Sequence, residues 1–79
     1  MTDGQVRAHI TSYALVVPEI QSAAGDPDKD KAIEAVQALL PTHFPEVGGL
    51  PRTEDGVSSD FVIAQGIVAL LNASQPRFE

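Results

Sequence analysis

The sequence predicts an all-α fold, a small three-helix domain, and three observations carry that prediction. Apolar residues recur at helical spacing over residues 3–24 and again over 27–40. A third segment, 59–73, opens on capping residues and then runs almost without a polar side chain. Apart from Pro18, the prolines and glycines gather mostly at the ends of these segments and between them, where chain reversal is needed.

Thr2-x-x-Gln5 has the form of a capping box, with hydroxyl and side-chain amide each serving the other residue's backbone N–H, so a helix should start at residue 3. Val6, Ile10, Tyr13, Val17, Ile20 and Ala24 follow at alternating steps of four and three, which places them on one stripe. Pro18 interrupts this helix. Its ring removes one hydrogen bond and crowds the carbonyl of Ala14, at about 3 kcal/mol or more in an ideal helix. Because the stripe keeps its phase across the proline, the expectation is one helix over 3–24, kinked at Pro18. The β-branched run near Tyr13–Val17 offers a strand as the competing reading, which the helical spacing on both sides outweighs.

Gly25 supplies a stop, and Asp26-Pro27 restarts the chain as an N-cap followed by proline at the first helical position. Ala32, Ile33, Val36, Leu39 and Leu40 form the inner face of a second helix, 27–40. Asp28, Lys29, Asp30, Lys31, Glu34 and Gln37 lie outside it, and Pro41 is expected to end it.

The connection 41–57 is long for so short a chain. Its core, PTHFPEVGGLPRTEDG, mixes turn residues with the apolar Phe44, Val47 and Leu50, which suit either a lid over the next helix or half of a partner-binding surface. Ser58 then reads as an N-cap, Asp60 as an acid at the positive end of the helix dipole, and Val57 with Val62 as a hydrophobic staple. Between Phe61 and Leu71 only Gln65 is polar, so the helix 59–73 is apolar nearly all round. Gly66, Ala69 and Ala73 form a small-residue stripe, and Gln75–Glu79 reads as a short tail. Two other helices cannot cover such a helix completely. Either the loop closes over it or part of it meets a second copy or a partner.

Composition narrows the function classes. With 79 residues and no cysteine, the chain forms one domain without disulfides, cysteine-built zinc sites or thiolate chemistry. Its formal charge of -6 comes from 11 acidic and 5 basic side chains, and the basic ones are scattered, which argues against direct binding to nucleic acid or an anionic membrane. The longest nearly apolar run, residues 61–71, is far short of the roughly 20 residues a spanning helix needs. Residues 1–5 lack the basic and apolar regions of a signal peptide, so a cytoplasmic location is expected.

The candidate chemical motifs resolve into structure. Asp26-Pro27-Asp28-Lys29-Asp30 begins like an EF-hand loop, but Lys31 stands where that loop needs glycine and Gln37 where it needs a bidentate glutamate. His43 and Glu46 have Pro45 between them, and His9 is an element away, which is a poor metal-binding pattern. Ser58-Ser59-Asp60 lacks a nucleophile elbow and is explained by capping. No catalytic residue, cofactor or metal is therefore assigned. The reading that remains is a non-enzymatic interaction module, a regulator or accessory subunit acting as a homodimer or on a protein partner. Its contact surface would comprise Phe44, Phe61, Val62, Val68 and Leu71, rimmed by Glu54, Asp55 and Asp60. Two alternatives are a small-molecule or metal site in the 41–56 loop around His43, Glu46 and Asp55, and an acidic inhibitor that engages a basic partner through Glu54, Asp55 and Asp60.

Overall fold

The computed structural model describes residues 1–74; the tail Gln75–Glu79 lies outside the described residues. The described chain is all-α, with helices α1 (Asp3–Ala14), α2 (Pro18–Ala24), α3 (Lys29–His43) and α4 (Ser59–Ser74), and a 3-10 turn over Pro45–Gly49. α4 is the hub, packing against α1, α2, α3 and the 3-10 turn. α3 lies antiparallel to it: Gln37 reaches Asp60 at the start of α4, whereas Lys29 and Ile33 stand opposite Asn72 and Ala73 near its end.

The first helix is broken, not kinked, so four helices replace the expected three. Both halves of the capping box at Thr2 and Gln5 form, and the stripe from Val6 to Ala24 faces inward as expected, but Leu15–Val17 leave the helix. Val17, forced away from the α region by the following proline, is extended at φ -112 and ψ 114, and Pro18 becomes the first residue of α2. The Ala14 carbonyl, which the amide of residue 18 would serve in a continuous helix, accepts instead from Gln21 Nε2 at 3.3 Å. Ala14 is completely buried, so this substitute bond offsets a desolvation cost that solvent cannot relieve.

α3 is also displaced from its expected bounds. It starts at Lys29, because the Asp28 carboxylate caps the amides of Asp30 and Lys31 while Asp26 accepts from the amide of Asp28. It continues past Pro41 to His43, with the Phe44 amide donating to the Leu40 carbonyl at 2.7 Å. The proline ring is exposed and Leu40 fully buried, so packing outweighs the local preference of a pre-proline residue. α4 agrees with the expected helix.

Among the described residues, thirteen apolar side chains make one buried core, to which α4 contributes Ile63, Ala64, Ile67 and Val68. The 41–57 connection closes over its edge. Val47 is 4% exposed, and Phe44 and Leu50 pack half-buried against the same cluster. Ser59, a buried hydroxyl at the head of α4, donates to the Pro51 carbonyl and anchors the loop to the helix. What α4 leaves exposed is a narrow stripe, Phe61, Gln65, Ala69 and Ala73, at steps of four residues.

Gly66 governs how α1 meets α4. A Cβ placed on it would lie 2.7 Å from Ile10 Cγ1 and closer still to Ile10 Cδ1, so the Ile10 side chain occupies the space that a larger residue would need. Gly66 is thus a receptacle for a side chain from α1, while Ala69 and Ala73 of the same small-residue stripe face outward. Gly66→Ala is expected to destabilise the domain by about 1 kcal/mol, overpacking outweighing the gain in helix propensity. In an Ile10→Ala background the same change should become stabilising by up to about 1 kcal/mol. Urea unfolding of the four proteins in this double-mutant cycle measures both signs.

Candidate interaction surfaces

The residues carrying potential chemistry are distributed among separate partners. Tyr13, near the end of α1, stacks on Phe44 with ring centroids 4.0 Å apart and planes 19° from parallel, and its other neighbour is the His9 ring at 5.4 Å. The Tyr13 hydroxyl donates to Glu46 Oε1 at 3.4 Å. Burial, reinforced by the Glu46 carboxylate and this hydrogen bond, raises the Tyr13 pKa above its ordinary 10.0. His43 faces α2, its Nε2 lying 3.6 Å from Glu19 Oε2. Asp55 belongs to a third location, a groove it lines with Asp3 and Arg7. His43, Glu46 and Asp55 therefore have different partners, and the described residues contain no group of three acidic or histidine side chains arranged to hold a metal ion.

At the head of α4, Asp60 acts as an organising acid. Its Oδ1 accepts from the Phe61 amide at 2.8 Å and from the Ser58 hydroxyl, and its Oδ2 accepts from Gln37 Nε2 at 3.4 Å. The Ser58 hydrogen bond is the main influence lowering the Asp60 pKa; partial burial opposes it, and the bonds from Gln37 and Phe61 assist. Ser58 thus supports the carboxylate, which itself serves a helix amide. The expected Ser58 cap is replaced: its hydroxyl donates to Asp60, and the Asp60 carboxylate accepts from the Phe61 amide in its place.

The other contact residues expected from the sequence are also placed unequally. Val68 is 3% exposed and belongs to the core; Val62 and Leu71 are half-buried against it, as is Phe44. Those side chains are held by the domain's own packing. Phe61 remains 36% exposed, and Glu54 and Asp55 project from an exposed turn. The most exposed large apolar residues among those described are Leu15 at 65% and Val16 at 64%, on the segment between α1 and α2. Sequence reasoning assigned them to a continuous helix and passed over them. Their signal was available, because both fall off the apolar stripe that Tyr13 and Val17 occupy.

Two shallow grooves adjoin the core. One, about 380 Å³, runs between α3 and α4 and is lined by Ile33, Val68, Ala69 and Ala73 beneath Lys29, Gln65 and Asn72. The other, about 270 Å³, lies between α1, the turn at 53–57 and α4. No helix among the described residues is long and apolar enough to cross a membrane.

Two pH effects follow. The lowered Asp60 pKa stabilises the fold fully above the ordinary value of 3.8, and that contribution fades as pH falls through the lower folded-state value. Asp60→Asn should therefore be less stable than the parent at pH 7, with the gap narrowing below pH 3.8 in urea titrations. Tyr13 has the opposite pH window: its raised pKa means that the unfolded phenol ionises first above pH 10.0, so stability is lost as pH rises. The parent should lose ground to Tyr13→Phe as pH rises above the ordinary 10.0, read by the same unfolding measurement.

In comparisons with known proteins, the chain matches no family model, no curated protein and no solved structure.

Proposed function

We propose that this chain is a small, acidic, non-enzymatic interaction module, a regulator or accessory subunit, that docks onto a protein partner or a second copy through the junction between α1 and α2. The exposure of Leu15 and Val16, about two thirds each, carries this reading. Both are adjacent aliphatic side chains on a short non-helical segment, in a domain whose other large aliphatics are mostly covered. Fully burying a side chain of this kind contributes about 1.5–3 kcal/mol, so the pair can supply a substantial part of a weak or moderate affinity. Phe61 offers a further exposed aromatic on α4.

The break itself suits this role. Pro18 limits the backbone freedom of the segment before binding, and the Gln21 bond to Ala14 ties α2 back to the end of α1. An apolar pair held on a restrained segment loses less entropy on docking than one on a free loop. Glu19, exposed in the first turn of α2, and the net charge of -6 favour a partner surface with a basic rim.

The test compares the parent with Leu15→Ser/Val16→Ser, first by sedimentation at about 100 μM, where a weak dimer with Kd near that value is about half formed. If the parent is dimeric, the variant should be monomeric. If the parent is monomeric, the immobilised parent should retain a partner from native extract that the variant loses, with retention weakening as salt rises. Equal behaviour of the two proteins in both measurements would refute the proposed surface.

A further inference from the structure

We propose that the groove between α1, the 53–57 turn and α4 is a binding site for a small zwitterion with an aliphatic side chain, of the chemical class of leucine. This inference is independent of docking through Leu15 and Val16. Its lining unites three kinds of group a free aliphatic amino acid requires. Val6 and Ile10 from α1, Val57 from the turn and Val62 from α4 provide the apolar surface. Arg7 supplies a guanidinium for a carboxylate, and Asp3 and Asp55 supply carboxylates for an ammonium.

The charges are available. Neither the Arg7 guanidinium nor the carboxylates of Asp3 and Asp55 form an ion pair or side-chain hydrogen bond among the described residues, although all three line the same groove. Opposite charges left unpaired beside an apolar surface match a ligand that brings both signs of its own. Asp28, Asp60 and Arg52, by contrast, are engaged in bonds that serve the fold.

The wall bearing Asp55 is built in advance. The Gly56 amide donates to the Thr53 carbonyl at 2.9 Å, the Thr53 amide to the Val57 carbonyl at 3.0 Å, and the Val57 amide to Thr53 Oγ1 at 3.2 Å. Arg52 Nη1 adds a bond to the Gly56 carbonyl at 2.9 Å, and Gly56 takes a left-handed φ of 79° that favours glycine. A turn closed by four hydrogen bonds holds Asp55 and Val57 in fixed relation without help from a ligand. Size argues for a small molecule over a protein segment, since about 270 Å³ falls just below the usual range for drug-sized ligands.

The experiment follows the methyl resonances of Val6, Ile10, Val57 and Val62 while L-leucine is added to about 20 mM, enough to saturate a site with Kd near 1 mM. Saturable shifts confined to these methyls are expected. 4-Methylpentanoate, which lacks the ammonium, and 3-methylbutylamine, which lacks the carboxylate, should each bind about tenfold more weakly or worse. Arg7→Gln should abolish the advantage of leucine over the amine, and Asp3→Asn/Asp55→Asn its advantage over the acid. The substituted side chains are exposed, and an unchanged spectrum of the free variants verifies their folds. No saturable shift, equal binding of the uncharged N-acetyl-leucinamide, or insensitivity to both sets of substitutions would overturn the proposal. Equal binding of N-acetyl-leucinamide would instead identify a groove for a peptide side chain.

Discussion

Burying the inner face of α4 is the constraint on which the rest of this domain depends. Ile63, Ala64, Ile67 and Val68 occupy consecutive turns, and a helix so rich in apolar residues cannot rest on a single neighbour. α1, α2, α3 and the 3-10 turn each cover part of it. In a chain without disulfides, this shared core must supply the stability that other small domains obtain from covalent staples. The connecting loop is consequently drawn into the wall. Val47 enters the core, Phe44 stacks on Tyr13, and the Ser59 hydroxyl secures Pro51 at the head of α4.

The two prolines near helix ends show how packing chooses between similar local options. Pro18 and Pro41 each remove a backbone donor, yet one marks a break and the other lies within a helix. At Pro18 the chain departs from the helix over three residues, and Gln21 satisfies the buried carbonyl left behind. At Pro41 the ring is exposed and the preceding Leu40 is fixed in the core, so the helix continues for its last turn. The outcome depends on which neighbouring groups must be buried, because a proline imposes much the same local penalty in either place.

The core also sorts the polar groups into structural and exposed sets. Asp60 and Asp28 serve helix amides, and Glu46 meets Tyr13. Their chemistry is directed inward, toward holding elements together. Leu15 and Val16, and the groove around Arg7 and Asp55, are directed outward. A domain this small has little interior in which to build an enclosed pocket, so its surface concavities are shallow grooves.

The sequence by itself determined the helical class, the inward stripe from Val6 to Ala24, the inner face of α3, the capping box at Thr2 and the extent of α4. Periodicity and capping are local properties, and a few neighbouring side chains suffice to set them. Tertiary structure decided that Pro18 would break the first helix, that α3 would pass Pro41, and that Val68 would be buried while Leu15 and Val16 emerged. It also brought Arg7, Asp55 and Val62 to one groove from distant parts of the chain. Such outcomes depend on which surfaces compete for the limited area around α4, a competition between residues far apart in sequence that no local pattern records.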